Sequence, residues 1–276
     1  MSSNPRSNDY GAVNGSRRSA AVSGDEEQPL LSGEGRSPKS RWRKSMTADV
    51  HRDWADLILL ACYIVTGLLD SASISTWGSF VSMQTGNTVY FGLGIAAPRE
   101  STRWIKSGTS LAFFCIGSVF FSFFHRYFSP KRRWVLCASF AVQTALIVIA
   151  AAILTFGPKS ADPKEAIGWP ELVPIALVAF QSCGQAVVSR ALKYNALTSV
   201  VLTSIYCDLF SDANLLATHN AERNRRVAAP VLLLIGAIIG GTLAHSWVGC
   251  GGALWVAAAM KLAVVVAWFF WPTESD

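Results

Sequence analysis

The chain has 276 residues, of which 51% are hydrophobic and only 15% charged, whereas about a quarter of an ordinary soluble domain is charged. Nine of the 24 Lys and Arg residues lie within residues 1–53, and most of the others cluster between apolar runs. The net charge of +6 is therefore not the basic face that a nucleic-acid-binding fold would need, and composition excludes that class in favour of a chain solvated by lipid.

Residues 1–53 are rich in Ser, Gly, Asn, Arg and Glu. Such a segment buries too little apolar surface to fold, so a disordered cytosolic tail is expected there. Inside it, Glu26-Glu27-Gln28-Pro29-Leu30-Leu31 resembles an acidic dileucine sorting signal. Glu26, Leu30 and Leu31 would be its key residues and a sorting adaptor its partner. The resemblance implies a vacuolar or endolysosomal membrane, with the plasma membrane as the alternative. The basic run Arg41-Trp42-Arg43-Lys44 suits a cytosolic flank to the first span. An apolar core is lacking in the first 50 residues, so no cleavable signal peptide is expected.

A bilayer crossing takes about 20 mainly apolar residues. Six stretches meet that length: 55–77, 106–128, 134–156, 171–190, 228–247 and 251–271. Two more, 79–97 and 196–217, are shorter and broken by polar residues. If both re-enter, the short inside loops hold nine basic residues and the outside loops five. If both cross, the counts are eight and six, so the positive-inside rule favours re-entry. Either way, both termini are expected in the cytosol, the C-terminal one as the short segment 273–276.

The first broken stretch holds a polar knot, Met83-Gln84-Thr85-Gly86-Asn87-Thr88. Water is absent at membrane depth, so a backbone group freed by a broken helix needs a protein partner or a wet cavity. Broken helices of this kind form substrate sites in transporters. Thr85, Gly86 and Asn87 are accordingly site candidates, Gly for an unwound backbone and Asn and Thr as donors and acceptors.

The chain also divides into similar halves, 55–156 and 171–271, within a transmembrane domain spanning 54–272. Each half has one span, a broken stretch and two further spans. Thr85 aligns with Thr203, and Gly86 with Ser204. Three crossings per half would make the halves inverted relative to each other. The fold class expected is an all-α polytopic membrane protein with six full transmembrane helices and two interrupted or re-entrant ones.

Intramembrane ionisable groups are functional-site hypotheses by default. Asp70 lies about fifteen residues into the first span and would couple a proton or cation. The competing assignment is a carboxylate bonded to the backbone N–H groups of the next helical start. Asp208 and Asp212, four apart, share a helical face, and Asp208 is the one placed to face a cavity. Lys261 sits mid-span, too deep to snorkel, with Asp70 or Asp208 as its expected partner. Gln185 is expected to face the knot from the other half. His125 and His245 fall at span ends, which suits an interface. The six cysteines suit small packing residues, since neither C-x-x-C pairing nor Cys/His zinc spacing occurs. No protease, nucleotide-binding or dinucleotide motif is present, so no enzyme activity, cofactor or metal is expected.

The run Thr66-Gly67-Leu68-Leu69-Asp70-Ser71-Ala72-Ser73, with Phe80 and Gln84-Thr85-Gly86-Asn87-Thr88, resembles the YoaK-type family catalogued as domain of unknown function 1275. In the second half Gln185, Arg190, Leu202-Thr203-Ser204 and Asp208 are similar to that family's pattern. The usual Met-Thr-Gly-Asn is Met-Gln-Thr-Gly-Asn here, and Ser204 replaces a Gly. The resemblance covers roughly 55–271 and implies fold group and membrane location, but no activity. Function is therefore expected from the sites: a secondary transporter of an unidentified small solute. The alternatives are a non-transporting scaffold or assembly factor and, more remotely, an intramembrane enzyme.

Overall fold

A computed structural model describes residues 38–51, 54–158, 167–194 and 197–272. The dileucine-like residues Glu26, Leu30 and Leu31 lie outside these. Among the described residues the protein is an all-α polytopic membrane protein of nine helices. These are α1 (Pro38–Thr47), α2 (Ala55–Trp77), α3 (Gln84–Ala96), α4 (Arg103–Phe128), α5 (Arg133–Phe156), α6 (Trp169–Ala191), α7 (Thr203–Phe210), α8 (Ala221–Ala244) and α9 (Gly249–Phe269). Six of them, α2, α4, α5, α6, α8 and α9, are long and apolar enough to span a bilayer.

Local chemistry sets the ends. Gly78 takes a left-handed φ of 74° and closes α2 with its N–H on the Ile74 carbonyl, a conformation that costs Gly little. Asn220 caps α8, its side chain accepting the Arg223 N–H at 2.9 Å. That cap starts α8 at Ala221, seven residues before the apolar run begins, so Arg223, Arg225 and Arg226 are helical rather than in a loop.

The two short helices do not cross. At about 1.5 Å per residue, the 13 residues of α3 reach about 20 Å, short of a ~30 Å hydrocarbon core. Helix directions give an independent test. If α7 crossed, α5 and α9 would run the same way. They run opposite ways, because Cys137 meets Val265, Gln143 meets Lys261 and Thr155 meets Trp255. With α7 not crossing, α2 and α8 are parallel only if α3 also re-enters. They are parallel: Gly236 abuts Ile64 and Gly240 abuts Leu68.

The main helix pairs are α2 with α8, α4 with α6, and α5 with α9. On α2 and α8 the glycines allow backbone-to-backbone approach. A Cβ on Gly67 would fall 2.0 Å from the Leu233 carbonyl oxygen, and one on Gly236 2.0 Å from that of Ile64. Close approach through small residues is how helices bind in lipid, where apolar contact alone gives little preference for a partner.

The described residues reach into the segment that composition assigns to a tail, where Pro38–Thr47 is helical. Arg133, at the start of α5, donates to Ser45 Oγ at 2.5 Å and to the Trp271 carbonyl. His51 N–H donates to Pro272 O at 3.0 Å, and Trp271 Nε1 returns a bond to His51 O at 3.0 Å. Val50 is buried in the core beside this strap.

The core has two apolar clusters. One holds Leu59, Tyr63, Phe140, Val188, Val264 and Trp268. The other holds Leu68, Ile147, Val178, Leu254 and Ala257. On α5, α6 and α9 a polar residue falls between the two, and on α2 Thr66 lies where they meet.

Candidate functional site

The first arrangement lies at the α2–α3 break. The helix stops at Trp77 and resumes at Gln84, so the unwound backbone is 78–83. This corrects the expectation that Gly86 unwinds the chain. Gly86 is inside α3, and its bare face receives the Phe80 ring, which a Cβ would meet at 2.8 Å. The polar residues supply the partners that the broken backbone lacks. Asp70 Oδ1 accepts the N–H groups of Val81 and Ser82 at 2.9 Å each, and Oδ2 accepts the Ser82 hydroxyl. Asn87 accepts the Phe80 N–H at 3.0 Å and donates to the Phe80 carbonyl at 2.7 Å, with Gln84 and Ser110 at 3.0 Å each. Both side chains are buried and tied to neighbouring backbone. Thr85 is on the exposed side of α3.

The second arrangement is the polar layer between the two apolar clusters. Lys261 is fully buried. Its Nζ donates to Gln143 Oε1 at 2.5 Å and to Gln185 Oε1 at 2.8 Å, and it lies 5.1 Å from the centre of the Phe140 ring. Gln185 Nε2 donates to Thr66 Oγ1 at 2.5 Å, and Thr66 to the Cys62 carbonyl at 2.9 Å. In the other direction Gln143 Nε2 donates to Ser139 Oγ at 3.4 Å, and His125 Nε2 lies 3.1 Å from the same oxygen. One chain of hydrogen bonds thus joins α4, α5, α9, α6 and α2. Gly184 makes room for it, since a Cβ there would stand 2.6 Å from Gln143 Nε2.

Four expectations change here. Lys261 meets neither Asp70 nor Asp208; its partners are two neutral amides. Gln185 faces Lys261 and Thr66 rather than the Thr85–Asn87 knot, because its position on α6 falls between the apolar clusters. Asp208 is exposed on α7, beside a surface hollow that it shares with Asp212, Asn220 and Glu222, and so lies apart from the polar layer. His125, expected at an interface, is buried and ends the hydrogen-bonded chain.

Asp212 is held at the surface by the Asn214 N–H at 2.8 Å, by Asn220 at 3.1 Å and by Arg226 at 3.3 Å. The backbone bond from Asn214, more than partial desolvation opposes, keeps its carboxyl below the usual carboxylate range, and Asn220, Arg226 and Arg223 act the same way.

Ser139 and Gln143 were not among the residues singled out from sequence, and Thr66 was named only as the first residue of the family-like run. Gln143 had a signal: the 118-residue offset that aligns Thr85 with Thr203 also places it on Lys261. Being uncharged, it carries no desolvation cost large enough to mark it in an apolar span as Lys261 is marked.

Among the described residues no group of three or more His, Cys, Asp or Glu could hold a metal ion. A family model described as "Protein of unknown function (DUF1275)" matches residues 58–267, a range that contains both arrangements. No curated protein and no solved structure matches the chain.

Proposed function

The chain belongs to the DUF1275 family of proteins of unknown function, and on that premise we propose that it is a non-enzymatic secondary carrier of a small solute. The observation that carries this reading is Lys261, a fully buried mid-span ammonium bound by two neutral amide oxygens. Burying a charge without an opposite partner is expensive, and intramembrane ionisable groups mark pathways more often than packing. A polar layer also weakens a core that apolar residues would hold more simply. The proposed binding layer is Thr66, Gln143, Gln185 and Lys261, with Asp70 and Asn87 holding the re-entrant loop in place.

Pseudo-symmetry supports the same reading. Exchanging α2 with α6, α3 with α7, α4 with α8 and α5 with α9 maps the α2–α8 pair onto α6–α4 and the α5–α9 pair onto itself. Since α3 re-enters, α6 runs opposite to α2, as an inverted repeat requires. Binding sites in such repeats lie where the halves meet. The proposed orientation puts Arg126, Lys131, Arg133, Arg190, Arg223 and the strap in the cytosol. The dileucine-like residues Glu26, Leu30 and Leu31 add the proposal of an adaptor-read endolysosomal address.

A scaffold is the second reading, favoured by one observation: Asp70 and Asn87 are bonded to backbone. Flux into proteoliposomes separates the two. Lys261→Met should abolish solute flux per folded molecule, whatever its folded yield. Folded Lys261→Met protein with flux equal to wild type would end the carrier reading at this site.

A further inference from the structure

Resting on that carrier reading, we infer that the polar layer takes a small anion, of the size of a halide or a short-chain carboxylate, as the counter-charge of Lys261. The argument begins with the interior charges. Two buried carboxylates are described, and each already has its partners. Asp56 is paired with Arg225 at 2.6 Å. Asp70 holds the N–H groups of Val81 and Ser82 and the Ser82 hydroxyl. The ion pairs among the described residues do not include Lys261. Its charge faces two amide dipoles and the Phe140 ring.

A neutral solute would leave this ammonium uncompensated, and a cation would be repelled by it. An anion gains most from it, because a charge pair strengthens as local dielectric falls. The two glutamines suit both states. With no anion bound, each turns its oxygen to the ammonium. A half-turn of either amide would present its NH2 group to an anion instead, since Gln offers both donor and acceptor edges. Ser139 and Thr66, the present acceptors of those NH2 groups, carry hydroxyls that can donate to the turned oxygens. Aromatic and aliphatic residues close the layer on both sides, with Tyr63, Phe140 and Trp268 on one and Leu68, Ile147 and Leu254 on the other. That boundary favours a compact ligand.

The experiment uses the full chain in lipid nanodiscs. Thermal unfolding is followed while sodium chloride or sodium acetate replaces sodium gluconate at constant ionic strength. Wild type should show a saturable stabilisation by chloride or acetate. Lys261→Arg should keep that response, and Lys261→Met should weaken it at least tenfold. Should Lys261→Met fail to fold, Gln143→Glu serves instead. It supplies an internal carboxylate beside Lys261 and should remove the anion response in folded protein. Equal responses to gluconate and to the small anions overturn the inference, as does an unchanged response in Lys261→Met or Gln143→Glu. Flux through the same protein in proteoliposomes separates the two claims. Lys261-dependent anion binding with no flux of any solute supports the anion site and removes the carrier reading. Lys261-dependent flux of an uncharged solute, with no anion binding, does the reverse.

Discussion

Gln143 and Lys261 are 118 positions apart in the chain, and the Gln143 amide oxygen accepts a hydrogen bond from the Lys261 ammonium at 2.5 Å. Thr66 and Gln185, 119 apart, make the neighbouring contact. Under the proposed two-fold relation between the halves, residues at matching places meet each other only near its axis. The polar layer therefore stands where a two-fold relation between the halves would place its centre, and each pair ties one half to the other.

This pairing makes the effects of substitution non-additive. Gln143→Leu removes one acceptor from a buried ammonium and should cost about 1.5–3 kcal/mol of stability. Lys261→Met leaves two amide oxygens without a donor and should also destabilise. The double variant should be more stable than the sum of the singles implies, with a coupling of about 0.5–3 kcal/mol. Thermal unfolding of all four proteins in one detergent measures it, and strict additivity would mean that the contact contributes nothing.

Asp70 should behave as a structural residue. Asp70→Ala leaves the Val81 and Ser82 N–H groups and the Ser82 hydroxyl without their acceptor, at about 1–3 kcal/mol for each unpaired group. Folded yield and melting temperature should fall sharply. Asp70→Asn keeps an oxygen for the two N–H groups and should lose less than half as much. Equal losses in the two variants would show that the carboxylate's charge, rather than its acceptor geometry, holds the loop.

The spans were legible in the sequence because twenty apolar residues in lipid have little choice but a helix. Re-entry was favoured over crossing by loop charge, nine basic residues inside against five, but the sequence left both open. The position of the break was not legible. The polar residues lie at 83–88, yet the chain opens at 78–83, and Asn87 and Asp70 reach back to it. At membrane depth the polar side chains are found beside broken backbone, as its hydrogen-bond partners, and need not lie in the break. The start of α8 was hidden for a similar reason, since Asn220 caps a first turn whose arginines suggest a loop. Lys261 was visible by its charge. Its partners were not, because nothing local marks a glutamine in α5 as the neighbour of a lysine in α9.

The strap 45–51 should stay bound through Arg133. Arg133→Ala removes the bonds to Ser45 and Trp271 and should expose the chain near residue 51 to trypsin at least several-fold faster, at a stability cost of about 1–3 kcal/mol. Unchanged cleavage would mean that Val50 and the backbone bonds to Lys131 and Pro272 hold the strap alone.

Glycines on one helix should separate by what faces them. Gly236→Ala puts a Cβ 2.0 Å from the Ile64 carbonyl oxygen, which no rotamer can relieve. It should cost about 1–3 kcal/mol or more by forcing α2 and α8 apart. Gly241→Ala meets nothing within 4 Å and should stabilise by about 0.5–1 kcal/mol through helix propensity. Opposite signs in thermal unfolding would confirm the close α2–α8 approach; two neutral results would refute it.

Acid sensitivity at the α7–α8 turn follows from Asp212. Its folded carboxyl titrates below the unfolded value of about 3.9. Its contribution is therefore fully present above that unfolded value and disappears as pH falls through the lower folded one. Asp212→Asn should be less stable than wild type near neutral pH, and the two curves should converge as the medium becomes strongly acidic. Because Arg226 and Arg223 add to the effect from the surface, added salt should narrow the neutral-pH gap. It should not close it, since the Asn214 N–H bond is the largest cause and is short-ranged. A gap that grows on acidification would reverse the assigned direction.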